Sequence, residues 1–593
     1  MIPKNIKREH ILKAIEDIEK RKYNIPKNRK STKFYLRVNG KTYPPKYVIS
    51  LANKYANGEF LDSKKFEGGK ETNNFLKKLG FEVIDRETLK KENASNIHIR
   101  RNKKKENKSM HKGERCPYCK ETIKKLLEKA YGKVYVNYKF KISVSPEDFK
   151  QSKYYSHLKK IFEELQKHRG FKEFVKAKTL PNCDFFIPES KSGFILEFDE
   201  SQHFTLPRKL TLENYPSSLK LGFDKETWIK LCEKINSKDN DPPYRDEQRA
   251  WYDTLRDFLP FITELQLKPT VRLFAKDFSW CMLNPEDPDD IEFFKKMIEQ
   301  QNQIPFRMDP ESFLARIIIA GNWKNKPEYA KRLLEKIYES WPKGTKTKFI
   351  ITCGGFINFN WPREISKKEI GDSKNPNEEV VNYLIKKAEE IIKAILTPEL
   401  WSKLELITDY LTIGIDSIQR RKKDGAVDGK SPHIELVCTI DLKKHKFYWT
   451  GKFYPVVSQE NGLVRISDLG THFLDLDVGK VMVLGCHDLN VFNPRSIKNS
   501  KGWRKKLNEK FRELARKEKP EIVLHHPHVT TTKRTWLNAF ACMKKEIPSV
   551  KFYAGAGMYN QGRESLFSVL KYTKCGSTID FIITNRIIES ISD

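Results

Sequence analysis

The sequence predicts a multidomain α/β protein: a small α+β domain at the N-terminus, an α/β core after it, and an α/β sandwich over the C-terminal half. Three observations predict this. At 593 residues the chain exceeds what one hydrophobic core serves, so three or four domains are expected. Strand-like and helix-like segments alternate from Cys116 almost to the end. Residues 89–113 lose all apolar periodicity and so separate a small N-terminal unit from the rest of the chain. The expected boundaries are 1–88 for a basic head, 89–114 for a linker, 115–290 for the core and 310–593 for the sandwich.

Composition excludes whole classes. Lys and Arg number 112 against 78 Asp and Glu, a formal charge of +34 that calls for a polyanionic partner, nucleic acid before membrane surface. A hydrophobic share of 38%, with 12% aromatic, excludes wholesale disorder. No apolar run approaches the ~18 residues of a membrane helix. The charged start MIPKNIKREH lacks the apolar core of a signal peptide. Ten cysteines, mostly in stretches such as IELVC and VMVLGC, read as reduced thiols. The expectation is a cytoplasmic protein with no membrane association.

In the head, REHILKAIEDIEK places Ile11, Leu12, Ile15 and Ile18 at helical spacing. FYLRVNGKTYPPKYV then reads as a hairpin around Asn39-Gly40, and KYVISLANKYANG as a helix stopped by Gly58. Tyr35, Tyr43 and Tyr47, interleaved with Lys and Arg, can stack on bases or pack a small core. The linker carries Arg100, Arg101, Lys103, Lys104 and Lys105, which suit phosphate contact as well as solvation.

The densest chemistry lies between residues 184 and 249. Asp184 sits on the short strand CDFFIP, and the next strand, FILEFDESQHF, carries Glu197 and Asp199, then Gln202 and His203. Alternation puts Glu197 and Asp199 on one face and Leu196 and Phe198 on the other. A hairpin brings Asp184 beside them. Three converging carboxylates repel one another unless a cation lies between them, and an all-oxygen set suits Mg²⁺ or Mn²⁺.

These residues resemble the PD-(D/E)xK superfamily, in the branch that includes the very-short-patch repair endonuclease. The shared pattern is CDFFIP, LEFDESQH and RDEQRAWYDTL, the last with Asp246 and Arg249. The resemblance implies a restriction-endonuclease-like α/β/α core and metal-dependent phosphodiester hydrolysis, with Asp184, Glu197 and Asp199 as metal ligands. Asp199 stands where the superfamily has its Lys, which leaves Gln202 or His203 to position the attacking water; an imidazole near its usual pKa of about 6.5 can serve as base. Glu121, or else Glu128, occupies the place of an acid that completes such sites from the preceding helix. Cys116 and Cys119 have zinc-knuckle spacing but no second pair, so they read first as a helix start and second as a Zn²⁺ half-site.

In the C-terminal half, WTGKFYP with Lys452 precedes VMVLGCHDLNVF with Cys486 at a strand end, and then comes EIVLHHPHVTTTK. This order resembles the carbon–nitrogen hydrolase (nitrilase) superfamily. The resemblance implies Cys486 as nucleophile, Lys452 at the oxyanion and Asp488 as the acid after the Cys. Where the family has a Glu general base, KFIITCGGF offers Gly354 and Gly355. That leaves either an amidase or, favoured by the missing base, a fold kept for small-molecule sensing or for pairing two copies. YPPKYVISLANKY followed by FEGGKETNNFLKKLGF makes the head resemble the small domain found ahead of nuclease domains in some McrA-like modification-dependent restriction proteins. The combined expectation is a Mg²⁺-dependent endonuclease acting on DNA, with RNA also open, in defence against foreign DNA; an amidase and a non-catalytic DNA-binding sensor are the alternatives.

Overall fold

The structure is a computed structural model that describes the whole chain except residues 20–24, 27–30, 32, 39–40, 86–113, 115, 190–191, 302, 419–427, 429–430, 531–532, 560–563 and 593. It divides into two compact units, Met1–Met110 and His111–Asp593. The Asn39-Gly40 turn and the basic run with Arg100, Arg101, Lys103, Lys104 and Lys105 lie outside the described residues.

The first unit is a three-stranded antiparallel sheet, ordered β2-β1-β3, with helices α1 (Arg8–Glu19), α2 (Pro45–Asn57) and α3 (Lys70–Lys78). Strands β1 (Phe34–Val38) and β2 (Lys41–Tyr43) pair as the hairpin expected, with Val38 opposite Lys41, and β3 is Glu82–Asp85. Helix α2 begins with Pro45 in its first turn and ends at Gly58, whose φ of 84° is the left-handed conformation glycine adopts freely. In α1 the buried stripe is Ile11, Ala14 and Ile15, with Ile18 packed beside it; Leu12, expected on that face, is 41% exposed. The stripe takes in positions 11, 14, 15 and 18, and Leu12 lies about 100° off it.

The second unit holds three sheets. The smallest is ordered β4 (Tyr135–Tyr138), β5 (Cys183–Ile187), β6 (Phe194–Asp199), β7 (Val271–Phe274), antiparallel until the parallel β6–β7 pair. Helix Pro117–Tyr131 covers Phe185, Leu196 and Phe198 on one face, and helix Arg245–Ile262 lies over the acidic residues of β6.

The eight-stranded sheet runs β14 (Lys446–Gly451), β13 (Glu435–Asp441), β12 (Thr408–Ser417), β10 (Thr347–Ile351), β9 (Leu314–Ile319), β20 (Thr578–Ile583), β8 (Phe306–Met308), with β11 (Ile357–Phe359) on β12. The five-stranded sheet runs β15 (Phe473–Leu476), β16 (Gly479–Leu484), β17 (Ile522–His525), β18 (Phe552–Gly555), β19 (Lys574–Cys575). Alternate residues of both, among them Ile318, Phe349, Val481 and Leu524, share one core, so the two sheets stack face to face. Their outer faces are covered by helices, Glu378–Ile395 on the larger and Gly502–Glu518 on the smaller. This is the α/β sandwich expected. Its core is continuous with that of the smaller sheet, since Leu126 and Phe198 belong to the same cluster as Ile318.

Candidate functional sites

Two clusters of ionisable side chains stand out, one on the four-stranded sheet and one where the stacked sheets meet.

On the first, β5 and β6 pair with Phe185 opposite Leu196, and one step on Asp184 and Glu197 come together; the Asp184 N–H donates to Glu197 Oε1 at 3.3 Å. Asp184 Oδ2 accepts from the Phe198 N–H at 3.0 Å, and Lys120 of helix Pro117–Tyr131 sets its ammonium 2.7 Å from Oδ1. Burial pushes the Glu197 carboxyl up to about 7, against the pull of Arg256, whose Nε is 3.3 Å away, and with Asp184 adding to the rise.

Asp199 points elsewhere. Both of its oxygens accept from Arg272, at 2.9 and 3.1 Å, and Oδ2 also accepts from Trp228 Nε1 at 2.8 Å. Arg272 also bonds Asp257 at 2.8 Å and contacts Asp253. Arg208 pairs with Asp257, and His203 Nδ1 lies 2.9 Å from Asp253. Burial opposes a charge on His203, but Asp253 and then Asp199 outweigh it and hold the imidazole above its usual value. Four acids (Glu197, Asp199, Asp253, Asp257) thus face three guanidinium groups (Arg208, Arg256, Arg272) and the imidazole of His203. The expected crowding of acids is present, but the cations that relieve it are the chain's own guanidinium groups. Asp199 is therefore a structural ion-pair partner and not one of three converging ligands, and the Asp184–Glu197–Asp199 set is absent from the three-ligand groupings found among the described residues.

The other expected residues fall nearby with different roles. Gln202 donates to Glu200 at 3.2 Å, and its carbonyl accepts from Arg249 at 2.8 Å; Arg249 also pairs with Asp239, whose N–H donates to Asp246. Asp246 and Arg249 therefore brace the loop before helix Arg245–Ile262 against the Ser201–His203 turn. Glu121 is 58% exposed and paired with Lys125; the acid that meets the turn is Glu114, which accepts from the Ser201 N–H at 3.0 Å. Glu128 pairs with Lys124. Cys116 caps its helix ahead of Pro117, and Cys119 and Cys281 bring their sulfurs within 4.8 Å of it, a buried three-thiol group. Sequence reasoning did not foresee Lys120, Glu114, Arg256 or Arg272. Of these only Lys120 carries a local signal, one turn into the helix that Cys116 starts.

The second cluster lies at the carboxyl ends of β12, β16 and β17 and at the Glu435 end of β13. Lys452 is buried, its ammonium 2.9 Å from each oxygen of Glu435 and 2.8 Å from Gln459 Oε1. Asp488 accepts from the N–H groups of Gly485, Phe453 and Tyr454 at 2.8, 3.2 and 2.9 Å, tying the Cys486 turn to the Lys452 segment. Burial pushes its carboxyl up to about 7. Cys486 Sγ accepts from the His528 N–H at 3.3 Å, and His528 Nε2 stands 2.5 Å from Asp416 Oδ2. Burial alone raises a thiol, as it does Cys183, Cys232 and Cys353 (to about 12); at Cys486 the charge of His528, with hydrogen bonds from His487 and His528, reverses this and holds it well below the usual value. His525 and His526 are buried and kept neutral, burial lowering them to about 3 and about 4.

In the head, Tyr43 is buried against Glu19 and serves the small core, and Tyr35 is half-buried and donates to the Ser31 carbonyl; Tyr47 lines a cleft of about 690 Å³ with Phe34, Lys33, Lys46 and Lys70.

Residues 4–85 match the family described as the ScoMcrA-like N-terminal head domain. No curated protein matches the chain. Among solved structures, a mutant of a Nesterenkonia AN1 amidase from the nitrilase superfamily aligns with 43% of this chain and 80% of its own, at 11% identity and a TM-score of 0.25. A carbon–nitrogen hydrolase from Helicobacter pylori G27 aligns with 44% and 78%, at 12% identity and 0.23. At such overlap neither alignment bears on function. No helix among the described residues is long and apolar enough to cross a membrane.

Proposed function

We propose that the chain is a metal-dependent nuclease of the restriction type, directed to DNA by its basic head and cutting at Asp184, Glu197 and Lys120. The observation that carries this reading is that Lys120 pairs with the Asp184 carboxylate while the Asp184 N–H donates to Glu197 on the next strand, with Asp184 and Lys120 still partly open to solvent. Mg²⁺ keeps several waters and takes one or two protein carboxylates, so two acids suffice. Glu197 is compatible with the fit: burial carries its carboxyl up to about 7 against the pull of Arg256, so a cation bound beside it would favour its charged form. Asp184 and Glu197 would hold the ion, whose contribution is to polarise the phosphoryl oxygens and acidify a water.

The chain's own groups do the rest. Lys120 gives Asp184 a fixed cation that can orient a water toward phosphorus, the duty expected from the sequence of Gln202 or His203. Arg256 keeps Glu197 in place from the buried side. The ScoMcrA-like head, with lysines and two aromatic rings around one cleft, supports a nucleic-acid partner.

The test is plasmid cleavage by the full chain with Mg²⁺ or Mn²⁺. Asp184→Asn should lower cleavage by about 100-fold or more while leaving the melting temperature near that of the wild type, and Cys486→Ser should leave cleavage intact. Undiminished cleavage by the folded Asp184→Asn protein overturns the reading; activity on RNA but not DNA overturns the substrate.

A further inference from the structure

We infer that Cys116, Cys119 and Cys281 bind a zinc ion through three thiolates, and that this ion fastens the helix carrying Lys120 to the turn that follows β7. The site stands on its own geometry and does not rest on the nuclease reading.

The sequence supplies two of the ligands as a recognisable pair, and only the fold supplies the third. Cys116 and Cys119 open helix Pro117–Tyr131, the first at its N-cap and the second in its first turn. The Cys119 N–H donates to the Cys116 carbonyl at 3.1 Å, which winds the chain tightly at this end. Cys281 is the middle residue of the turn Trp280–Met282, beyond the last strand of the four-stranded sheet. That turn is firmly held. The Trp280 indole N–H donates to the Phe274 carbonyl at 3.1 Å, the Met282 N–H donates to the Ser279 carbonyl at 2.8 Å, and the Trp280 ring meets Phe198 and Phe294 edge-on. A half-site along the chain is thereby joined by a third thiol from a rigid neighbour.

The spacing suits the ion. The three sulfurs lie within 4.8 Å of one another. Zn–S bonds of about 2.3 Å at tetrahedral angles set thiolates about 3.8 Å apart, so the ion enters with shifts of about 1 Å or less. The thiolates fill three corners of the tetrahedron, and a water molecule would fill the fourth. Binding releases the thiol protons, and the doubly charged ion leaves the buried group with one net negative charge. The positive end of a helix of 15 residues favours that charge and favours thiolate over thiol.

Other readings of the group fit less well. An odd number of thiols cannot all close into disulfides, and none of the three is in one. A redox pair needs an exposed nucleophilic thiol, whereas Cys116 and Cys119 are 2% and 1% exposed. Soft thiolates select zinc, copper(I) or an iron–sulfur cluster over hard cations. Iron–sulfur clusters take four such ligands, and three meet here among the described residues. The consequence is mechanical. Lys120 follows Cys119 directly and sets its ammonium 2.7 Å from Asp184, so an ion at Cys119 fixes the turn of helix from which Lys120 reaches out.

The test is metal analysis of the full chain, expressed with zinc in the medium and purified without chelators. About one zinc per chain is expected, released in step with the thiols when a mercurial is titrated in. Cys281→Ser should hold less than about a tenth as much, whereas Cys542→Ser, outside the group, should keep the wild-type content. A chelator selective for zinc over magnesium should lower the melting temperature of the wild type and leave that of Cys281→Ser unmoved, which an ordinary buried thiol would not do. If Cys281→Ser does not fold, cobalt exchanged into the wild type decides, through the ultraviolet charge-transfer band of thiolate-bound cobalt. A second group of ligand atoms, Asp416, Glu435 and His528, serves as the internal control. A wild type without zinc, zinc retained in full by folded Cys281→Ser, zinc lost with His528→Ala instead, iron or copper in place of zinc, or a cobalt form without the thiolate band each overturns the inference.

Discussion

The acid cluster of the four-stranded sheet and the thiol cluster of the sandwich are built from the same kinds of groups, yet they differ in balance. In the first, Asp199, Asp253 and Asp257 are matched by Arg208, Arg272 and His203, with Glu197 and Arg256 at the edge, and Arg272 and Asp253 at its centre are fully buried. In the second, Cys486, Asp416 and Glu435 gather around His528 and Lys452, with the imidazoles of His487 and His433 at the edge. An even set locks every proton and serves as a brace. An uneven set leaves one proton without a fixed owner, which is what acid–base chemistry needs. On the sheet, chemistry is left to the rim, where Asp184 and Lys120 stand partly outside the balanced network.

The sharpest way to break this comparison is to unbalance the brace. Arg272→Leu leaves Asp199 buried without its guanidinium and takes one of their cationic partners from Asp253 and Asp257. Removing one member of a buried pair costs about 3–5 kcal/mol, and total stabilities run to about 5–15 kcal/mol. Arg272 serves three acids, so we expect the second unit to lose cooperative unfolding or to melt far below the wild type in calorimetry. Cys486→Ser, by contrast, should move the melting temperature by no more than a few degrees. A mild effect at Arg272 would mean that the network is open to water and that Asp199 is free for other duty.

A smaller effect separates the rim from the brace by pH. The Glu197 carboxyl has a folded value of about 7 against about 4.5 when free, so the folded state keeps its proton longer than the unfolded one. Stability from this group is therefore full below about 4.5 and is lost as pH rises through 7, by up to about 3 kcal/mol at roughly 1.4 kcal/mol per pKa unit. Asp488 acts in the same direction. Denaturant unfolding of wild type and Glu197→Gln from pH 4 to 8 isolates the Glu197 share: the two curves should diverge across that window. Parallel curves would show that Arg256 neutralises Glu197 outright, leaving no deficit for a bound cation to fill.

How much of this was legible in the sequence depends on how local each feature is. The strands of both sites are readable because alternation and strand ends are local, and so were Asp184, Glu197, Lys452 and Cys486. The meeting of Asp184 with Glu197 needed only a hairpin register. Arg256 and Arg272 lie on a later helix and strand, and their pairing with Glu197 and Asp199 depends on how β7 and helix Arg245–Ile262 come back over β6. Charge spacing cannot show that. His528 had a signal in the run His525-His526-Pro527-His528 after a strand, but its role needed Asp416 from the other sheet. The Asp246–Arg249 spacing was equally plain, and its use as a loop brace was hidden until Asp239 and Gln202 were seen beside it.

The least disruptive change is also the one that decides the rim. Lys120 and Asp184 keep 42% and 22% of their side chains exposed, and pairs in such settings contribute about 0–1 kcal/mol. Lys120→Met should therefore leave unfolding almost unmoved, unlike any change to Arg272. If Lys120 orients the attacking water, plasmid cleavage should still fall by about 100-fold, a loss of the size expected for a positioned proton-handling group. Lys120→Arg, which keeps the charge but spreads it over a planar fork, should restore the ion pair and only part of the rate. Cleavage unchanged in Lys120→Met would reduce Lys120 to a surface partner of Asp184, and the rim would then hold two acids with no group of its own to direct the water.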